Sequence, residues 1–163
     1  MILKRLGVLL AFSTVLAFPL SASMVSFLVI ETGLQQESFA GEYSTLWEDG
    51  LMGVFFDAGH IVSNGTILRL EKPPVRDIPD EALSDFAEAS EGGAEYLVLI
   101  LLDYRNKDGT FIPQDVSLKL FTVAGRKMVY QQRFAAGTSA NFDEEYARAQ
   151  GAARAVLPHL KDR

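Results

Sequence analysis

The stretch WEDGLMGVFFDAGHIVSN, residues 47–64, gathers Glu48, Asp49, Asp57 and one of the chain's two histidines, His60. A histidine beside a carboxylate can act as a base with its orienting partner. That chemistry also needs a nucleophile, and the chain has no cysteine and no Gly-x-Ser-x-Gly elbow. The plainer reading makes Asp57 a solvated position near a helix end and His60 the residue that follows a glycine cap at Gly59. Zinc would need three or four ligands, and the other histidine, His159, stands far away in the tail PHLKDR. Asn106-Lys107-Asp108-Gly109 lacks the alternating ligands and closing glutamate of a calcium loop, so it reads as a turn. Gly92-Gly93-Ala94 leads from a helix into a strand, whereas phosphate loops lead from strand to helix. Glu31 and Asp103 sit where strands should end, the place where open α/β sheets put ligands, and both read more simply as solvated strand-end residues. Asn64-Gly65-Thr66 matches a glycosylation sequon, a pattern common by chance. The expectation is therefore no catalytic, cofactor-binding or metal-ligating residue.

The bulk composition points to export. Residues 1–5 (MILKR) are basic, 6–18 form an uncharged apolar run, and Ser21-Ala22-Ser23 is a small-residue cleavage pattern. Together they predict a signal peptide over 1–23, cut after Ser23 or after Ala22, followed by one domain over 24–163. The apolar run falls short of the roughly 20 residues that span a bilayer; an uncleaved inner-membrane anchor is the alternative. Without cysteine the chain has no disulfide and no site for a lipidated-cysteine anchor. Cleavage removes Lys4 and Arg5 and takes the formal charge from −6 to −8. So acidic a surface disfavours nucleic acid and anionic lipid as partners.

The elements that would position any site follow from periodicity. Residues 25–31 (VSFLVIE) form a near-continuous apolar run, the mark of a strand covered on both faces. Residues 32–43 are polar and read as a loop. Thr45 and Glu48 fit a capping box opening a helix whose inner face is Leu46, Trp47, Leu51, Val54, Phe55 and Ala58. The helix carboxylates would then lie outside or at its start. Residues 60–70 read as a strand broken near Asn64-Gly65, and 71–79, with three prolines, as a connector. A short helix over 80–90 presents Leu83, Phe86 and Ala87 inward and stops at Gly92-Gly93. Residues 95–104 (EYLVLILLDY) make the central strand. Residues 115–123 and 127–134 form a hairpin about Ala124-Gly125-Arg126. Asn141 caps a last helix with Phe142, Tyr146, Ala149, Ala153, Val156, Leu157 and Leu160 along one face. The order β-α-β-α-β-β-β-α predicts an α/β (two-layer α+β) fold with a mixed sheet of about five strands and helices packed on it.

That order, with the run Gly93-Ala94-Glu95-Tyr96 entering the central strand and Val123-Ala124-Gly125-Arg126 turning the hairpin, resembles a group of small α/β domains of bacterial envelope proteins. The group comprises the curli-secretion channel family, the TolB amino-terminal domain and the LpoB-type activators of penicillin-binding proteins. The resemblance implies an exported, non-enzymatic domain that binds other envelope proteins or self-associates, through an exposed sheet edge or the loop 32–43. The alternative is a small exported hydrolase or ligand-binding protein using Glu31, Asp103 or His60, which requires at least two of them to share one pocket.

Overall fold

The computed structural model describes residues 22–34, 41–135 and 141–160. The expected leader up to residue 21, the middle of the polar loop (35–40) and the small-residue loop 136–140 lie outside the described residues.

Strand β1 (Met24–Thr32) runs through the interior of a mixed sheet. The order across the sheet is β2 (Ile61–Asn64), β1, β4 (Tyr96–Lys107), β5 (Thr110–Thr122), β6 (Lys127–Ala135). Strand β3 (Leu68–Leu70) also pairs with β1, on from β2 along the same side, which makes six strands. β1 is parallel to β2, β3 and β4, while β4–β5 and β5–β6 are antiparallel hairpins. The break expected at Asn64-Gly65 divides β2 from β3: the Gly65 N–H turns inward to donate to the Phe27 carbonyl at 3.0 Å.

Alternation along the strands separates two apolar clusters on opposite faces. Val25, Phe27 and Val29, with Val98, Ile100, Val116 and Leu118, face α1 (Gly41–Asp57) and α3 (Phe142–Val156). Leu28, Ile30, Leu97, Leu99 and Phe121 face α2 (Leu83–Glu91). Edge-to-face ring pairs join strand to helix on each side: Phe27 with Phe55 at 5.2 Å, and Phe86 with Phe121 at 5.5 Å. Burial on both faces explains why β1 and β4 read as apolar runs without alternation.

Three local readings change. α1 begins at Gly41, so Thr45 is an exposed helix position and no capping box forms there. Tertiary contacts hold the added turn: the Ser44 hydroxyl lies 2.8 Å from the Tyr104 hydroxyl, and the Tyr43 ring meets Phe142. Glu48, expected at the helix start as the reaching-back partner of the capping box, is buried within α1. In the second helix a 3-10 turn over Asp80–Ala82 precedes α2; of the expected inner face Phe86 is buried, and Ala82 and Ala89 complete the stripe at i, i+4 and i+7. Leu83 and Ala87 are left exposed. On α3 the inner stripe is Glu145, Ala149, Ala152, Ala153 and Val156, with Phe142 and Tyr146 at the surface.

The ends of α1 and α2 share one geometry. Gly59 (φ 89°) donates to the Phe56 carbonyl and His60 N–H to that of Phe55. Gly93 (φ 84°) donates to Ser90 and Ala94 N–H to Ala89. Both are Schellman closures, with glycine in the left-handed position.

The proline-rich connector is fastened from the sheet. Lys119 on β5, almost buried, places its Nζ 2.8 Å from Asp77 Oδ1. Its aliphatic stem lies along the face that α2 leaves open, and the ammonium reaches out to the connector.

Candidate functional site

At the carboxyl end of β1 the sequence-nominated acids stand on opposite faces, and Asp103, expected at a strand end, lies within β4, which runs on to Lys107. Glu31 is in register with Arg69 and Leu102 and shares the α1 face. Its carboxylate is fully buried, and Oε2 accepts from Arg69 Nε at 2.7 Å. Oε1 has no hydrogen-bond partner. Tyr104 lies near it; burial first, and then the Glu31 charge, push its hydroxyl well above the usual tyrosine range, against the hydrogen bond from Ser44. Asp103 is in register with Thr32 and Asp115 on the other face and accepts from Thr32 Oγ1 at 3.1 Å. The sheet itself separates Glu31 from Asp103.

His60 sits at the opposite end of the molecule, where the chain enters β2. It occupies the second position past the α1 cap, with its ring 6.1 Å from Phe55, the apolar contact that accompanies a Schellman closure. It makes no hydrogen bond or ion pair with Asp57, which is exposed. His159 stacks on Tyr130 with ring centroids 4.2 Å apart. Among the described residues no three histidine, cysteine or carboxylate side chains gather around a common metal position. Gly92-Gly93 closes a helix, as its position before a strand implied.

Two buried carboxylates escape a reading by periodicity. Glu145 on α3 is fully buried because Trp47 on α1 donates its indole N–H to Oε1 at 2.9 Å, across 98 residues of sequence. Glu48, one position along from Trp47, faces the β2 edge. Burial raises its pKa above the ordinary glutamate value; the Asn64 side chain opposes that shift and the Asp49 charge adds to it. An acid whose folded pKa is raised favours folding most in its protonated form. That contribution is complete below the unfolded value near pH 4 and is lost as pH rises through the folded value. Glu48→Gln, which cannot ionise, should match the parent at about pH 4 and be the more stable of the two at pH 7 in urea unfolding.

A cleft of about 240 Å³ lies between α2 and the β2 side, lined by Ser26, Leu28, Asn64, Asp85, Glu88 and Leu97. It is smaller than the roughly 300–1,000 Å³ of most ligand sites. Burial also raises the pKa of Asp85 there.

A wider, open cleft of about 680 Å³ lies over the connector, lined by Arg69, Glu71, Lys72, Arg76, Asp80 and Glu81. The sheet edges are a further polar feature. On one side β2 and β3 are four and three residues long and interrupted between them. On the other, β6 runs nine residues with no strand beyond it among the described residues, and Lys127, Gln131, Gln132, Arg133 and Ala135 are exposed. A register shift between Leu120 and Phe121 sets Val129 out as a bulge, leaving 130–135 as an edge whose last carbonyl, that of Ala135, accepts from Arg148 at 2.7 Å.

No family model matches the chain, and neither does any curated protein. Similar solved structures include a PelC dodecamer from Paraburkholderia phytofirmans, at 13% identity and TM-score 0.49, covering 87% of this chain and 90% of that one. TolB from Acinetobacter baumannii is similar at 10% identity and TM-score 0.42, over 86% of this chain but 28% of TolB. The LpoB C-terminal domain from Escherichia coli is similar at 12% identity and TM-score 0.39, over 72% of this chain and 84% of that domain. TolB and LpoB belong to the group that the sequence pattern resembles. Among the described residues no helix is long and apolar enough to cross a membrane.

Proposed function

We propose that this chain is an exported envelope protein that acts as a protein-binding or assembly module and carries no catalytic centre of its own. The free β6 edge carries this reading. An unpaired strand offers a row of backbone donors and acceptors that an incoming chain can complete. The acids that could serve acid–base chemistry support it from the other side: Glu31 is tied to Arg69, Glu145 to Trp47, and Asp103 to Thr32 across the sheet from Glu31. The hydrolase or ligand-binding alternative rests on the one free oxygen of Glu31 and needs a second group on the same face. Pull-down with the tagged mature chain from an envelope fraction should recover a defined protein, and a variant with β6 blocked should not. Repeated recovery of nothing would overturn the reading.

Export makes a prediction about the processed end. The Ser23 carbonyl accepts from Ile61 N–H at 3.1 Å, and Ser23 is buried. Cleavage after Ala22 keeps this anchor between β1 and β2, whereas cleavage after Ser23 removes it. Mass spectrometry of the secreted form is expected to find Ser23 as its first residue. A start at Met1 would mark an uncleaved anchor instead.

A further inference from the structure

We infer that the β6 edge is built to take an acidic segment in extended conformation, added antiparallel or parallel as a further strand. This deepens the proposed binding role and rests on it. The choice of occupant comes from charge. The chain holds 21 acids against 15 lysines and arginines, yet from residue 116 to 142 it has Lys119, Arg126, Lys127 and Arg133 and no acid. Lys119 is engaged inward with Asp77; Lys127 and Arg133 are exposed on β6, and Arg126 is exposed in the turn before it. At the far end Arg148, paired with Glu145 at 3.7 Å, donates to the Ala135 carbonyl at 2.7 Å and closes the edge there. The free edge is thus a basic strip on an acidic protein.

Geometry limits where the strand can add. Register with Ser117 and Lys119 puts Arg133 and Gln131 on the α2 side of the sheet, while Gln132 and Phe134 share the α3 side with Leu118 and Val116. The bulge at Val129 interrupts the edge after Lys127 and Met128, and Arg148 takes the Ala135 carbonyl, so the added strand would pair along 130–134. Carboxylates on alternate residues of that strand would meet Arg133 on one face. The other edge offers no equivalent, because β2 and β3 are short and divided. A second copy's β6 would bring its own cations to the strip, and charge disfavours that pairing.

The test uses the mature chain and three synthetic octapeptides on one alternating valine–threonine frame. One carries glutamates, one carries lysines at the same positions, and one is the glutamate peptide with alternate backbone nitrogens methylated. The glutamate peptide is expected to slow amide exchange along 130–134 and to bind at least about tenfold more tightly than either of the others at low salt. Lys127→Glu with Arg133→Glu, both at exposed positions, should reverse the preference between glutamate and lysine peptides while leaving the thermal midpoint of the free protein unchanged. Equal binding of the methylated peptide would reduce the contact to charge alone and overturn the strand addition. Equal binding of the lysine peptide, or protection elsewhere than β6, would overturn the acidic occupant. Equal protection of β6 by anionic lipid vesicles would make the strip a membrane contact and overturn it too. An edge that cross-links an envelope protein yet ignores the glutamate peptide would leave the binding-module reading standing and sink this inference alone.

Discussion

Replacing Trp47 with alanine is expected to cost about 4 kcal/mol of stability, a large part of the roughly 5–15 kcal/mol that holds a domain of this size. Trp47 is fully buried where α1, α3 and β6 meet, with its ring 6.4 Å from that of Phe134. Truncation empties that volume and also leaves Glu145 Oε1 without its indole donor inside the core. The two effects separate in variants. Trp47→Phe keeps a ring and loses the N–H, so it should cost about 1–3 kcal/mol. Adding Glu145→Leu to Trp47→Phe should recover part of that loss by removing the buried carboxylate that has lost its indole donor. Urea denaturation read by circular dichroism gives all three values. If Trp47→Phe matches the parent, the hydrogen bond contributes nothing and packing alone holds the helices together. The closeness of that packing shows at Gly50, where a Cβ would stand 2.8 Å from the Ala149 Cβ.

The second large effect is expected from Arg69→Met, at about 3 kcal/mol. Glu31 is fully buried and Arg69 is half exposed, so the pair places a charge inside the sheet and its counter-charge at the surface. Taking away the arginine leaves a carboxylate enclosed by Leu102, Tyr104 and α1 with neither oxygen paired. Taking away both partners does not. The double variant Glu31→Met/Arg69→Met should return to within about 1 kcal/mol of the parent, because a buried ion pair often contributes little more than apolar side chains of similar volume. The double-mutant cycle therefore discriminates: a single-variant loss rescued by the double marks a structural pair. A double variant as unstable as the single would mean that Glu31 holds something else in place, and its free Oε1 would become the first atom to pursue.

What the sequence made legible follows from the range of the interactions concerned. Strands β1 and β4 were readable because burial on both faces writes itself into composition. Gly59 and Gly93 were readable because a left-handed cap is a local demand. The start of α1 was not, because Ser44 and Tyr43 are held by Tyr104 and Phe142, which lie 60 and 99 positions away. On α2 Phe86 was legible as the inner residue, but the choice of Leu83 and Ala87 beside it was not the one made, because Ala82 and Ala89 stand at equally good helical spacing from Phe86 and only the packing decides. For the candidate site, the doubt over His60 and Asp57 had a local cause, the Schellman closure, and it was visible in the glycine. The roles of Glu145 and Glu48 were hidden because what decides whether a helix carboxylate faces water is its partner, and those partners lie on other elements. An exposed sheet edge was expected, but not which strand would form it; that depends on strand order, which no local pattern encodes.

The central claim is that this protein works by binding another protein along β6. A photo-reactive amino acid placed at exposed Gln131, and at exposed Thr45 on α1 for comparison, tests it in the cells that make the protein. The account predicts a discrete cross-linked protein adduct from position 131 and none from position 45. Folded, correctly processed protein that gives no adduct at 131, or the same adducts at both positions, would contradict it.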